Sequence, residues 1–503
     1  MPGIDGTPRA LLLCSLAHTH RWYNGRFYFG NVKVVEDWHA DNSSRLFPSG
    51  GGLLASYQKA LGLPLQLYAP FWSSDKFDVD HKYNMTESTS FPGTKLVTPN
   101  DSYRFFSDWF DLGAELTGGA QNFAAFEIDF LDDNFRGSAS MFESVYAADR
   151  WYDGINNAAF EHNLVLQYCL PSATDMLQSL AYPAVVQARA SGDYDNEVDN
   201  PLQLGGSSLL MGATLVAPSK DTLWTASPQP PTYNDEKQSA NYVEQPHVQL
   251  DAVLATLSLG PVGISDGLGQ VGVDLISQAF RSPTDSTLLR PARPLSWVDG
   301  FFYNRSFSRG TANDVRATHS AVPLQRGGGA GAPALVSHLI VAWRTASPTT
   351  LGPSDLFPAP PAGAALAVRQ HVISPAGAAQ QAGCVDGQPA VASGCIALAV
   401  GGVTSIVVPA TGTDLNSTAL WHASAPLANG AFFLGELAKF VHVSPQRFEY
   451  VLVDAVNGGK AGLVVGVRGS AGQALIITAV DAGGIARVAN VTLPESGFLD
   501  VKL

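Results

Sequence analysis

The sequence predicts an α/β chain. A (β/α)8 TIM-type barrel, with its first units degenerate or missing, is followed by an all-β C-terminal sandwich. Three observations predict this. Between about residue 60 and residue 300, short apolar runs alternate with amphipathic stretches of helical length, the pattern of parallel strands covered by helices. Two acidic residues, Asp129 in Phe-Glu-Ile-Asp-Phe-Leu and Asp193 in Arg-Ala-Ser-Gly-Asp-Tyr, fall where such strands end. After about residue 305 the texture changes to Val-, Ile- and Ala-rich runs broken by Gly and Pro.

The elements follow in order. Leu65 to Phe71 reads as a strand and Tyr103 to Leu116 as an amphipathic helix. Phe123 to Phe130 is a strand, and Ser140 to His162 a helix with the aromatic stripe Phe142, Tyr146 and Trp151. Asn163 to Cys169 and Ala184 to Arg189 are strands, separated by a short helix at Thr174 to Leu180. A Gly-Gly-Ser-Ser sequence opens a helix near Ser207 to Gly212, and Thr214 to Ala217 is the next strand. A helix at His247 to Leu257, a strand at Pro261 to Ser265 and a helix at Val271 to Phe280 complete the series. That makes six clear units where a closed barrel needs eight. The region before residue 60 has to supply the rest, and only Leu11 to Leu13 and Val32 to Val35 there resemble strands.

These patterns assign residues 1–305 to the barrel, 306–333 to a linker and 334–503 to an antiparallel β-sandwich. Gly327 to Pro333 and the Pro-rich stretch Pro348 to Pro361 punctuate the change. Ser337 to Trp343, Phe448 to Val453, Leu463 to Val467 and Ala474 to Ala479 are the clearest strands of the sandwich.

Composition narrows the partners. With 503 residues, 46% hydrophobic and 15% charged, the chain is globular and long enough for two domains. A net charge of −14 argues against nucleic acid and against anionic membrane surfaces. No run is long enough to span a bilayer; the apolar run 10–17 reads as a buried strand or a weak signal-peptide core. Of the four cysteines, Cys384 and Cys395 flank a loop that a disulfide would close in an oxidising compartment, while Cys14 and Cys169 read as buried thiols. Sequons at Asn42, Asn84, Asn100, Asn304, Asn416 and Asn490 lean toward a secretory or lumenal location. No cysteine or histidine spacing matches a zinc site, and the Gly-rich turns lack a dinucleotide fingerprint, so neither a metal nor another cofactor is expected.

A carboxylate at the end of a buried parallel strand is desolvated on one side and open to a ligand on the other. Two of them, Asp129 and Asp193, suit an acid and a nucleophile in glycoside hydrolysis; the plainer alternative is that they cap helices or hold loops. Lys220, Asp221 and Trp224 follow the strand Thr214 to Ala217 and read either as a salt bridge with a packed indole or as sugar contacts. Ser265 and Asp266 carry the same ambiguity. Trp72 is a core aromatic or a sugar platform, and Arg189 is placed to orient Asp193 or neutralise a neighbouring carboxylate.

Three motifs, Ala-Arg-Ala-Ser-Gly-Asp-Tyr (188–194), Leu-Gly-Pro-Val-Gly-Ile-Ser-Asp-Gly (259–267) and Thr-Leu-Leu-Arg-Pro-Ala-Arg-Pro (287–294), resemble in content and order those of the raffinose-synthase and α-galactosidase-like glycoside hydrolases. The resemblance covers about residues 60–305 and implies a (β/α)8 barrel with a C-terminal β-domain, acting on an α-galactoside or a related oligosaccharide by a retaining mechanism. It implies Asp129 as the nucleophile and Asp193 as the acid/base, with carboxyls about 5–5.5 Å apart. Glu127 stands where that family has a lysine, an exchange that would raise the pKa of Asp129 unless Glu127 turns away. Gly192-Asp193 replaces a doubled Asp, and an early acidic pair has no clear match, with Asp37-Trp38 or the stretch His18 to Tyr23 as stand-ins. These departures define a rival reading, a catalytically weakened carbohydrate-binding protein on the same scaffold.

Overall fold

The computed structural model of the chain describes residues 23–28, 32–38, 53–73, 82–91, 94–192, 199–229, 245, 247–267, 269–282, 285–298, 314–328, 331–360, 363–371, 373, 384–396, 405–412, 418–454 and 462–503. It divides into two compact units, residues 1–192 with 210–218, and residues 193–209 with 219–503.

The first unit is built on two sheets. Strands β1 (Tyr23–Tyr28) and β2 (Val32–Trp38) pair antiparallel, and after α1 (Leu53–Leu61) the chain enters β3 (Leu65–Ala69). Beyond Pro70 it leaves that strand's sheet as β4 (Phe71–Ser73), which pairs parallel with β2. Strands β5 (Met85–Glu87) and β6 (Thr94–Val97) complete this mixed sheet in the order β1-β2-β4-β6-β5. The described strands before residue 60, β1 and β2, therefore belong to a separate sheet and not to the parallel one.

The second sheet carries the alternating units. Helix α2 (Ser102–Thr117) leads to β7 (Phe123–Ile128); α3 (Leu131–Gly137) and α4 (Ala147–Glu161) lead to β8 (Val165–Tyr168). Helix α5 (Ala173–Gln178) precedes β9 (Val185–Arg189), and α6 (Asp199–Ala213) precedes β10 (Ala217–Ser219). The sheet order is β10-β9-β8-β7-β3, with β3, β7, β8 and β9 parallel. Space order thus follows chain order without reversal. That is the winding of consecutive barrel strands, whereas a doubly wound sheet reverses at a switch point.

One face of this sheet is apolar. Phe126, Ile128, Leu166 and Tyr168 are fully buried, and Phe126 meets Phe106 and Phe110 of α2 at 6.3 and 5.2 Å between ring centroids. Helix α2 also supplies Phe105 and Trp109, which with Phe106 enclose Trp72 edge-on at 5.0, 5.7 and 6.1 Å. Helix α4 approaches α2 through Gly154, where a Cβ would lie 1.9 Å from the Ser102 hydroxyl oxygen. The expected helix over Ser140 to His162 is broken. A 3-10 turn, Ala139–Phe142, ends before a turn closed by the Ala147 amide on the Ser144 carbonyl, and this resets the helical phase. Phe142 and Tyr146 consequently lie on the surface, and only Trp151 of the expected stripe is core.

In the second unit, α7 (Val248–Leu257) is buried along its length. The strand expected at Pro261 to Ser265 reduces to one parallel bridge, Leu223 with Ile264, and the helix expected at Val271 to Phe280 to α8 (Val273–Ile276). Just before α8, Gly272 lies so close to Thr225 that a Cβ would come within 2.2 Å of its carbonyl oxygen. Antiparallel strands follow. Asp314–Pro323, Ala334–Trp343, Ala419–Ser424 and Ala367–His371 form most of a five-stranded sheet. Two three-stranded sheets, one containing Phe432–Gly435 and the other Phe448–Asp454, share a core of Phe433, Phe448, Val451, Val465 and Ile477 with Val322 and Leu335. Cys384 and Cys395 are disulfide-bonded, and Cys169 is a buried free thiol.

Arg447 organises this unit. Its side chain is buried, its Nε donates to Glu436 Oε2 at 2.8 Å, Nη1 donates to Gln473 Oε1 at 3.2 Å, and Nη2 donates to the Arg281 carbonyl. Breaking a buried ion pair costs about 3–5 kcal/mol, and without Arg447 the Glu436 carboxylate keeps only the longer contact to Lys439 at 3.9 Å. Arg447→Ala is therefore expected to lower the unfolding free energy by about that amount, read from urea denaturation; a change under about 1 kcal/mol would show that the pair is not a structural hub.

Candidate active site

The polar face of the parallel sheet is built by alternation. Side chains two residues apart on a strand share a face, so Gln66 and Tyr68, Glu127 and Asp129, Gln167 and Cys169, and Gln187 and Arg189 all lie opposite the α2 side. They form two stacked rows. In the lower row Gln66 Nε2 donates to Glu127 Oε2 at 2.8 Å and to Gln167 Oε1 at 3.2 Å, and Gln187 Nε2 donates to Gln167 Oε1 at 2.7 Å. All four residues of that row are buried. Glu127 does not turn away from the side of Asp129.

Asp129 sits in the upper row, directly after β7. Its amide donates to the Ala69 carbonyl at 3.3 Å and continues the parallel pairing by one residue. Oδ2 accepts from the Tyr68 hydroxyl at 2.6 Å, and Oδ1 accepts from the Phe130 amide at 2.7 Å. Each carboxyl oxygen thus holds a fixed donor, which sets the plane of the group, and the Cys169 thiol is a further hydrogen-bond partner of the carboxylate. Asp129 does not cap α3, whose N-cap position is Phe130 with no side-chain capping bond.

The strand-to-helix turn is sharp. Phe130 adopts φ 53° and ψ 38°, a left-handed conformation that costs a non-glycine residue about 1–3 kcal/mol. Its ring packs against Phe71 and Phe91, at 5.3 and 5.7 Å. Asn134 Nδ2 donates to the Asp129 carbonyl at 2.9 Å and the Pro70 carbonyl at 3.3 Å, tying the turn to the bend between β3 and β4. Leu170, just past β8, is also left-handed at φ 49°. The Leu131 and Asp132 amides reach the Cys169 and Leu170 carbonyls, each at 3.3 Å.

Two neighbours report the electrostatics. Burial first, and then the Asp129 carboxylate, push the Cys169 thiol well above its usual range, with Arg189 acting the other way. Asp133, in the first turn of α3, is raised by burial, then by Asp132 and more weakly by Asp129, against Arg136.

The other sequence candidates separate by unit. Arg189 is in the first unit, buried in the same row as Asp129 and Cys169. Trp72, also there, is fully buried among α2 aromatics, so it is core and not a sugar platform. In the second unit Lys220 is buried; its Nζ donates to the Thr222 carbonyl at 2.8 Å and lies 3.8 Å from Asp251, with which it forms an ion pair. Burial raises Asp251 against the pull of Lys220. Asp221 is half-buried and Trp224 buried. Asp266 accepts from the Thr225 amide and hydroxyl at 2.8 and 2.9 Å, the Ala226 amide at 3.1 Å and Gln229 Nε2 at 2.7 Å. With four donors on its two oxygens it staples the loop, the plainer of its two readings.

Asp193 lies outside the described residues, as do Cys14, the run 10–17, His18, Asn42, Asn304 and Asn416. Asp37 and Trp38 end β2, paired there with Asn24 and Tyr23. Among the described residues no cluster of His, Cys, Asp and Glu is placed to hold a metal ion, and no helix is long and apolar enough to cross a membrane.

No protein-family model matches the chain, and no curated protein matches it. Among solved structures it is similar to a Glycoside Hydrolase Family 97 enzyme in complex with acarbose from a Pseudoalteromonas species, with 11% identity over 75% of this chain and 49% of that one and a TM-score of 0.35. A GH30 endoxylanase from Clostridium papyrosolvens has 8% identity, over 74% of this chain and 82% of that one, with a TM-score of 0.30. A glycoside hydrolase family 5 structure from Bacteroides vulgatus has 10% identity, over 63% and 84%, with a TM-score of 0.20. The chain spans about half the length of the family 97 structure. All three are glycoside hydrolases, of families 97, 30 and 5. At such TM-scores they add nothing to the sheet order and side-chain geometry.

Tyr68 is the contact that the sequence did not single out, and it generates a test. A hydrogen bond to a charged group contributes about 1.5–3 kcal/mol, so Tyr68→Phe is expected to lower stability to urea by that amount while the secondary structure persists in far-UV circular dichroism. An unchanged urea midpoint would mean that the hydroxyl does not hold Asp129.

Proposed function

We propose that this chain carries a glycosidase-type site in which Asp129 acts on an α-linked sugar, an α-galactoside being the first candidate. The observation that carries the reading is the placement of Asp129. It is a buried carboxylate at the C-terminal end of a parallel strand, oriented by Tyr68 and Phe130 above a hydrogen-bonded polar row. Strand ends of that kind are where barrel enzymes place their chemistry.

In the retaining mechanism, Asp129 attacks the anomeric carbon while an acid protonates the leaving oxygen; the acid then activates water or an acceptor sugar to release the glycosyl-enzyme. The motif 188–194 proposes Asp193 as that acid/base. Arg189, in the row of Asp129, is proposed to contact the sugar or balance the carboxylates. Lys220, Asp221 and Trp224 remain proposed sugar contacts, with Lys220 acting from its ion pair with Asp251. The substrate is a small glycoside or an oligosaccharide, and no metal or redox cofactor enters this scheme.

One observation favours the rival reading of a binding protein without turnover. Glu127 lies on the same face as Asp129, two residues before it, where the family named above keeps a cation. A panel of aryl α- and β-glycosides separates the two. The enzyme reading expects nitrophenol release from an α-glycoside and a loss of at least about 1,000-fold in Asp129→Asn, with sugar affinity largely kept. Sugar binding with no turnover in either protein would establish the binder. Equal turnover in wild type and mutant would remove Asp129 from the nucleophile's role.

A further inference from the structure

The second unit contains a group of histidines that the proposed chemistry does not use. On the antiparallel sheet, Arg369 lies opposite His422 and Ser424 opposite Ser337. His371, two residues from Arg369, shares their face. His442 arrives from the loop Glu436 to His442 and stacks on His422 with centroids 3.8 Å apart, while the His371 and His422 rings are 5.2 Å apart. All three rings are buried.

Each ring has one defined tie. His422 Nε2 is 3.0 Å from the Phe440 carbonyl, which requires the proton on Nε2 and leaves Nδ1 bare. His442 Nε2 meets the Ser337 hydroxyl at 2.9 Å, and His371 Nε2 meets Gln278 Oε1 at 2.9 Å. Nδ1 of His422 and of His442 is buried without a hydrogen-bond partner among the described residues. A proton added to His422 Nδ1 would create a buried donor with no acceptor and a charge against the stacked His442 ring.

The loop that brings His442 also grips another part of the unit. Lys439 Nζ donates to the Ser277 and Phe280 carbonyls at 2.8 and 2.7 Å, and the Phe440 amide donates to the Gln278 carbonyl at 3.0 Å. The loop is closed by the Glu436 amide on the His442 carbonyl at 2.9 Å. It begins at Gly435, left-handed at φ 67°, where a Cβ would lie 2.1 Å from that same carbonyl oxygen. The seat is therefore tight, and the loop and His371 hold the segment 277–280 together.

We propose that this three-histidine cluster and the loop seated on it form an acid-sensitive latch: protonation of the rings unseats the Glu436–His442 loop and releases its hold on residues 277–280. The charged group acting on all three rings is a cation, Arg369. Glu436 and Lys439 on the loop are engaged with each other and with Arg447, Glu436 lying 2.8 Å from Arg447 and 3.9 Å from Lys439. Burial is the main cause holding His371 down to about 4 and His442 down to about 3, with His422 well below its ordinary value. An unfolded histidine takes up its proton near pH 6.5. The cluster therefore leaves stability untouched above about pH 6.5 and removes it progressively as pH falls from there to about 4.

The test is hydrogen exchange of the full chain at pH 7.5 and pH 5.0, corrected for intrinsic rates, with urea unfolding at the same pH values. Peptides covering 436–443 and 277–281 are expected to lose protection by at least about tenfold at pH 5.0. The unfolding constant is expected to rise by about 30-fold per cluster histidine between neutral pH and pH 5.0, and by one factor less in His422→Gln. Unchanged loop protection in the wild-type protein at pH 5.0 overturns the proposal, a result that needs no variant to fold. If His422→Gln folds, an acid response identical to the wild type's also overturns it.

Discussion

A polar side chain inside a parallel sheet must find its partners within the sheet, because the water it gave up is not replaced. That constraint falls on four adjacent strands here. Gln66, Glu127, Gln167 and Gln187 occupy one row, and three hydrogen bonds of 2.7–3.2 Å link them across β3, β7, β8 and β9. The row fixes the relative register of the strands: sliding any one by a single residue would turn its amide toward the helices. Asp129, Tyr68, Cys169 and Arg189 inherit their positions from it, each two residues farther along its strand. The proposed chemistry thus stands on amides that take no part in it.

Much of this was legible in the sequence, for identifiable reasons. Apolar runs of strand length separated by amphipathic stretches gave away β3, β7, β8 and β9 and helices α2, α4, α5 and α7, since both periods were strong. Asp129 was visible as a carboxylate ending an apolar run, although a helix cap or a loop tie was the plainer reading of that position. The polar row was equally present, as Gln or Glu at alternate positions of Leu-Gln-Leu-Tyr, Phe-Glu-Ile-Asp, Leu-Gln-Tyr-Cys and Val-Gln-Ala-Arg, but its meaning depends on strands up to 101 residues apart meeting in register. Tyr68 was hidden for the same reason.

The misreadings are also instructive. Trp72 looked like a strand-end aromatic, yet Pro70 turns the chain out of one sheet into another, and the indole then falls among Phe105, Phe106 and Trp109. Phe142 and Tyr146 fit a helical stripe until one turn shifted the phase. Asp266 has the composition of a binding residue and the geometry of a loop staple. In each case a local signal was correct about the residue and silent about the neighbour that decides its role.

The strand spacing has a consequence for how the site comes together. Gln167 and Gln187 are 20 residues apart, so β8 and β9 close a short loop, whereas Gln66 must reach Glu127 across 61 residues. Closure entropy grows with loop length, so the shorter pairing has the smaller cost to overcome and β3 is favoured to dock last. Until it does, Glu127 lacks its Gln66 donor and Asp129 lacks its Tyr68 donor. Each carboxylate therefore gains one of its orienting contacts only when β3 docks. A partly folded chain would hold both acids without holding a site.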